Sequence, residues 1–235
     1  MPKSPALSPR LSAIAALVPP GAVVADVGCN HAWLGAALIY GGRSPRVIGL
    51  ENKPAPLALA QRMAAAVGPA LEIRASDGLG AVQPGEVDAI VIAGMGAALI
   101  LRLIEAAPAV VGGARRLILQ PERSPDGLRL GLHQLGYGFV EEQLIPDGGQ
   151  RHLILAVERG AGRRLACRAD AQLGPVLRAR RDPALVDALR DRLAAQAQAI
   201  AQIEAASATH PGLRRARITA ALIRRALRQL GASSD

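Results

Sequence analysis

Apolar residues recur along this chain with two different periods, and the change from one to the other divides the sequence. In the first two thirds, short apolar runs alternate with segments of helical periodicity. Residues 8–18 predict a helix, with Leu11, Ile14, Ala15 and Val18 on one face. Residues 22–27 form a β-branched run bounded by glycines, which predicts a buried strand. Residues 32–40 read as a helix, 46–50 as a second strand ending at Glu51, and 55–67 as an alanine-rich helix closed by Gly68-Pro69. Strands follow at 71–75 and 87–93, then a helix at 97–107 stopped by Pro108. Residues 116–120 make a fifth strand, and 125–135 a helix ended by Gly136. Two last strands, 139–145 and 152–158, are joined around Asp147-Gly148-Gly149.

Five strands that are apolar on both faces and alternate with helices predict an α/β fold, a mostly parallel sheet covered on two sides. The last two strands are too close in sequence for a parallel crossover, so they predict an antiparallel hairpin. A Rossmann-like, doubly wound sheet finishing in such a hairpin is the usual form of a methyltransferase that uses S-adenosylmethionine. That step is fold-level analogy.

The tail follows another rule. Residues 160–181 read as a basic linker containing Gly174-Pro175. Residues 183–206 then carry Val186, Leu189, Leu193, Gln196, Ile200 and Ile203 at alternating spacings of 3 and 4. After a turn at 207–212, Leu213, Ala216, Ala220, Ile223, Leu227 and Leu230 repeat that spacing. One apolar stripe per helix cannot be buried alone, so the two predict an antiparallel coiled-coil hairpin with arms of about 30–35 Å.

Charge follows the same division. Of a formal net charge of +9, residues 1–159 carry +1 and residues 160–235 carry +8. The expected organisation is a near-neutral domain over residues 1–160 and a basic helical unit over 161–235. A one-sign arginine face suits a nucleic-acid backbone. Half-apolar composition argues against disorder. Two cysteines, Cys29 and Cys167, make neither a disulfide scaffold nor a zinc site, so a reducing compartment and no metal are expected. The longest uncharged apolar stretch has 13 residues, short of the roughly 20 a membrane helix needs, and the early apolar run stops at Pro19-Pro20. The expectation is a cytoplasmic, non-membrane protein, with a monomer as the default.

Candidate chemistry lies at the strand ends, where an open parallel sheet keeps its ligand crevice. The first strand ends in Asp26-Val27-Gly28-Cys29-Asn30-His31. Three glycines at dinucleotide spacing are missing, because Asn30 stands two residues after Gly28. Glu51 ends the second strand, where an acid can accept both ribose hydroxyls of an adenosine. Asp77-Gly78 follows the third, where an adenine ring would reach, and Gly94-Met95-Gly96 the fourth, where a substrate would approach.

Several segments together resemble the bacterial tRNA (adenine-22 N1)-methyltransferase family. They are Leu7-Ser8-Pro9-Arg10-Leu11, Asp26-Val27-Gly28-Cys29-Asn30-His31-Ala32-Trp33-Leu34, Ile92-Ala93-Gly94-Met95-Gly96 and Leu117-Ile118-Leu119-Gln120-Pro121. The chain departs from the family pattern at Asn30, where an aspartate is usual, at Ala97, where a glycine is usual, and at Glu122. The resemblance implies S-adenosylmethionine as cofactor and tRNA as partner. The cofactor would be held by Asp26, Gly28, Cys29, Asn30, Glu51, Asp77, Gly78, Ala93 and Gly94. His31, Trp33 and Met95 would stand at the reacting centre, with Trp33 stacking on the adenine. Arg10 would hold phosphate, Gly96 would admit the base, Gln120 would bond an adenine edge, and Arg214, Arg217 and Arg224 would meet the RNA backbone. Two other classes suit the same residues: a methyltransferase acting on a small molecule or protein, and a non-catalytic RNA-binding protein that keeps the cofactor.

Overall fold

Five short, mostly apolar runs form the parallel part of one sheet: β1 (Val24–Val27), β2 (Val47–Glu51), β3 (Leu71–Ala75), β4 (Ala89–Met95) and β5 (Arg116–Pro121). The computed structural model describes residues 5–206 and 211–232. A hairpin of β6 (Tyr137–Asp147) and β7 (Gln150–Arg159) completes the sheet, in the order β3-β2-β1-β4-β5-β7-β6. Within the hairpin β6 and β7 run antiparallel, as their short turn requires, and β7 is the strand of the two that pairs with β5, again antiparallel. Gly148 and Gly149 both take positive φ, 59° and 76°, the geometry a tight hairpin turn needs.

Helices cover both faces. Val24, Val91, Ile118 and Ile154 pack with Ile14 and Leu17 of α1 (Pro9–Leu17) and with Leu34 and Leu38 of α2 (Trp33–Tyr40). Ala60 of α3 (Pro54–Val67) joins them. Their strand neighbours Ala25, Ile90, Ile92, Leu117 and Leu119 are buried too, and by alternation they face the other way. That second layer contains α4 (Ala97–Ala106) and α6 (Pro125–Gln134), which pack on each other. Arg129 of α6 and Glu142 of β6 form a fully buried ion pair, 2.7 Å apart, that ties helix to hairpin.

Two sequence expectations need correction. Pro108 does not merely stop a helix; it opens a short one, α5 (Pro108–Gly113), because proline fits the first helical position. The stretch 160–181 is more than a linker. Gly160 and Gly162, at φ 69° and 82°, fold the chain back so that Arg163 bridges Phe139. Two six-residue helices follow, α7 (Arg168–Leu173) and α8 (Pro175–Arg180). Asp170 accepts from the Cys167 amide and pairs with Arg178 at 2.5 Å. Elements this short show no readable period.

The chain divides into two compact units between Ala166 and Cys167. The second unit holds α7, α8, α9 (Pro183–Ala206) and α10 (Pro211–Gln229). The long pair forms a helical hairpin along the expected seam. Leu213, Ala216, Ala220, Ile223 and Leu227 of α10 are buried, as is Leu230 just beyond it, while Leu189 is the buried member of the α9 stripe. Arg217 pairs with Glu204 at 2.6 Å, joining the start of α10 to the end of α9 as an antiparallel arrangement demands. Of the expected turn, residues 207–210 lie outside the described residues, and Pro211 and Gly212 already belong to α10.

Candidate active site

Parallel pairing places the carboxyl ends of β1 to β5 along one edge of the sheet, and a cleft of about 640 Å³ opens there. After β1 the chain turns at Gly28, whose φ is 71°. A Cβ at Gly28 would stand 2.6 Å from the Met95 Cε, so the methionine lies directly over this backbone. The amides of Gly28 and Cys29 both donate to the Leu50 carbonyl, at 2.8 and 3.0 Å. Asn30 and Ala32 are left-handed, at φ 53° and 56°. Asparagine tolerates that region better than most residues, which suits it to position 30. Ala32 has no such help, so its surroundings hold it there.

Glu51 is buried at the end of β2, and three backbone amides aim at its carboxylate. Asn52 and Lys53 donate to Oε1 at 3.0 and 2.9 Å, and Asn30 donates to Oε2 at 3.2 Å. The orientation of this acid is thus fixed before any ligand arrives. Asp26 is buried beside it. Burial, and then the neighbouring Glu51 charge, push the Asp26 carboxyl up to about 7. Burial first, then Asp26 and Glu51, push the Cys29 thiol far above its ordinary value, so it stays protonated. At the next strand end Asn52 Nδ2 donates to Asp77 at 3.1 Å, bridging the rims behind β2 and β3. Gly78, at φ 70°, accommodates Leu103, whose methyl would lie 2.6 Å from a Cβ there.

On the far side of β1, the β4–β5 ladder slips at Gly94, between Ala93 and Met95. Gly94 (φ 72°) and Gly96 line the cleft, and a Cβ at either would meet nothing within 4 Å. Arg10 reaches the same wall from α1. Ser8 caps that helix, accepting from the Leu11 amide at 3.4 Å, and the Arg10 amide donates to Asp147 at 3.3 Å. The Ser8 hydroxyl, then the Arg10 amide, hold the Asp147 carboxyl below its ordinary range. Trp33 stands on the rim, 48% exposed, so it is no core tryptophan. Its ring centroid is 5.6 Å from that of His31, at 32°.

The cleft therefore brings together Arg10, Asp26, Gly28, Cys29, Asn30, His31, Trp33, Glu51, Asp77, Gly78, Ala93, Gly94, Met95 and Gly96. It does not include Gln120, which is 1% exposed with its amide engaged by Gly94, Arg10 and the Pro121 carbonyl. The expected contact of Gln120 with an adenine edge is therefore not available in this arrangement. Arg214, Arg217 and Arg224 belong to the second unit; all three are exposed, and Arg217 is already paired with Glu204. Sequence reasoning missed the Asn52 and Lys53 amides, the Asp147 tie and the lining residues Leu99 and Leu103. Only Pro54, opening a helix just after the acid, signalled amides near Glu51.

Comparison with known proteins agrees with this geometry. The tRNA (adenine(22)-N(1))-methyltransferase of Bacillus subtilis strain 168 is 35% identical over 156 residues, 66% of this chain. The match spans just under two thirds, 66%, of that relative's own length. The crystal structure of the B. subtilis m1A22 tRNA methyltransferase TrmK is 29% identical, with a TM-score of 0.80, and covers 94% of this chain and 99% of that one. Streptococcus pneumoniae Sp1610, a candidate tRNA (m1A22) methyltransferase solved in complex with S-adenosyl-L-methionine, is 29% identical with a TM-score of 0.83, covering 94% and 100%. A family model described as a methyltransferase domain matches residues 7–155, from the helix that carries Arg10 into β7, the strand that pairs with β5. With every residue of the cleft inside that span, the chain belongs to the methyltransferase-domain family.

Proposed function

We propose that this chain transfers a methyl group from S-adenosylmethionine to N1 of an adenine in tRNA, the adenine at position 22 for which its relatives are named. The observation that carries this reading is a half-exposed indole, Trp33, on the rim of the cleft whose floor holds Glu51. The cleft suits the cofactor. A fixed, buried carboxylate stands where a ribose needs an acceptor, and Gly94 and Gly96 leave open the space a Cβ would fill. When bound, S-adenosylmethionine supplies an electrophilic methyl group on a cationic sulfur.

The residues do the rest by alignment. Adenine N1 keeps a free lone pair, so no general base has to act before transfer. What the site must supply is near-attack geometry. N1 lies on the pairing edge, so the base has to leave its stack, and Trp33 with His31 offers the flat partner it needs. Glu51 orients the cofactor through its ribose, and Met95, packed on Gly28, walls the space between. In this reading residues 1–160 carry the chemistry, while Arg214 and Arg224 in residues 161–235 attract the tRNA backbone. No described helix is long and apolar enough to cross a membrane. In this reading the enzyme works in the cytoplasm, alongside its tRNA substrate.

The deciding experiment mixes the protein, labelled S-adenosylmethionine and unmodified tRNA, then digests the tRNA to nucleosides. The product expected is 1-methyladenosine, lost when guanine replaces the target adenine; absence of 1-methyladenosine overturns the reading. Binding of tRNA is expected to weaken steeply with salt, and salt-independent affinity would favour a small-molecule or protein substrate. In the same assay Trp33→Ala should lower kcat/KM for tRNA by about 5- to 150-fold, the worth of about 1–3 kcal/mol of stacking. Affinity for the cofactor should stay within about twofold, because the indole stands at the rim.

A further inference from the structure

The buried amide of Gln120 joins two walls of the cleft. At the carboxyl end of β4 the ladder runs Ala93↔Gln120, then Met95↔Pro121, so Gly94 is bulged out of register and loses its ladder partner. Its amide donates instead to Oε1 of Gln120, at 3.1 Å. The same oxygen accepts from Arg10 Nη1 at 2.7 Å. Among the described residues it is the one hydrogen-bond acceptor of that guanidinium. Both neighbours are donors, so the oxygen must face them, and Nε2 donates away to the Pro121 carbonyl at 3.2 Å. The amide is therefore spent inside the protein. What it controls are the Gly94-Met95-Gly96 turn and Arg10, all of which line the cleft.

We infer that Gln120 is a positioning residue for the methyl transfer, acting through Arg10 and the Gly94 turn to hold the wall against which the acceptor nucleotide is placed. This rests on the proposed reaction with tRNA. The Arg10 guanidinium, anchored at one nitrogen, keeps its remaining N–H donors for an anionic group on the RNA. With the anchor gone, the same arginine samples many rotamers, and the bulged Gly94 amide has no acceptor within the sheet.

The test compares Gln120→Leu with Gln120→Glu. Leucine removes the shared acceptor. Glutamate keeps an oxygen for both donors. Gln120→Leu is expected to lower kcat/KM for tRNA at least 30-fold, on the order expected when a buried donor is stranded. Its affinity for S-adenosylhomocysteine should fall by no more than about fivefold, because Glu51 still holds the ribose, and the Gly94 amide should exchange hydrogen at least about tenfold faster. Gln120→Glu should recover kcat/KM to within about tenfold of wild type, short of full activity because its second oxygen faces the Pro121 carbonyl. Gln120→Leu within about threefold of wild type, or Gln120→Glu as impaired as Gln120→Leu, overturns the inference. If Gln120→Leu does not fold, Gln120→Asn carries the same expectation, because it keeps an amide but withdraws the oxygen by one methylene. A loss of about tenfold supports the inference, and activity within about threefold overturns it. A wild-type chain that methylates no tRNA overturns the functional reading instead, which keeps the two failures apart.

Discussion

Replacing Glu51 by alanine is expected to weaken S-adenosylmethionine binding at least about 100-fold. A carboxylate that accepts two ribose hydroxyls makes two charged hydrogen bonds, each worth about 1.5–3 kcal/mol. Losing about 3–6 kcal/mol corresponds to a factor of about 10² to 10⁴ in Kd. The substitution also strands the amides of Asn30, Asn52 and Lys53, which converge on this acid and fix its direction. Glutamine does not rescue it. Three N–H donors face two acceptor oxygens, and an amide would turn its own NH2 group against at least one of them. Calorimetric titration with S-adenosylmethionine checks the prediction, with a ligand-free melting curve to show that the variants fold. A Glu51→Ala protein that binds within about tenfold of wild type would remove the acid from the cofactor site.

The parts of this fold that sequence reveals are those where burial on both faces forces a composition. Residues 89–92, Ala-Ile-Val-Ile, have no polar choice open to them, and their strand is legible at once. Parallel order then carries Asp26, Glu51, Asp77 and Gly94 to one edge, so a cleft of acids and glycines could be read from spacing alone. The role of Gln120 could not. Whether its amide points into the cleft or into the protein depends on one slipped residue, Gly94, and a one-residue bulge leaves no periodic trace. Asp147 reads as a turn residue, and its hold on the Arg10 amide is a contact across 137 positions that no local pattern encodes. The arginines of α10 fail for a related reason. Their exposure follows from the heptad seam, but the pairing of Arg217 with Glu204 depends on the register of two antiparallel helices.

Asp26 is expected to give the protein opposite pH responses with and without its cofactor. Its carboxyl titrates near 7 in the folded chain, raised first by burial and then by Glu51, against about 3.9 when unfolded. The folded state therefore binds more protons between those values, and stability must fall as pH rises from about 4 to about 7. A shift of about three units sets the scale at about 4 kcal/mol, fully felt above pH 7. A cationic ligand reverses the sign. The sulfonium and ammonium charges of S-adenosylmethionine favour the ionised carboxylate, so binding below pH 7 must expel a proton. Affinity should rise by up to about tenfold per unit between pH 6 and 7 and level off by pH 8. S-adenosylhomocysteine has lost the sulfonium charge and should show a shallower rise. Titrations in two buffers of different ionisation heat count the proton directly: close to one released at pH 6, and none in Asp26→Asn. The same variant should be more stable than wild type at pH 8 in the absence of ligand, because an amide has no charge to desolvate in that position. Cofactor binding that is flat from pH 6 to 8 would mean that Asp26 does not face the charged end of the cofactor. A carboxylate strained in the empty cleft and relieved by a cation ties part of the binding energy to the one chemical feature, the positive sulfur, that distinguishes substrate from spent product.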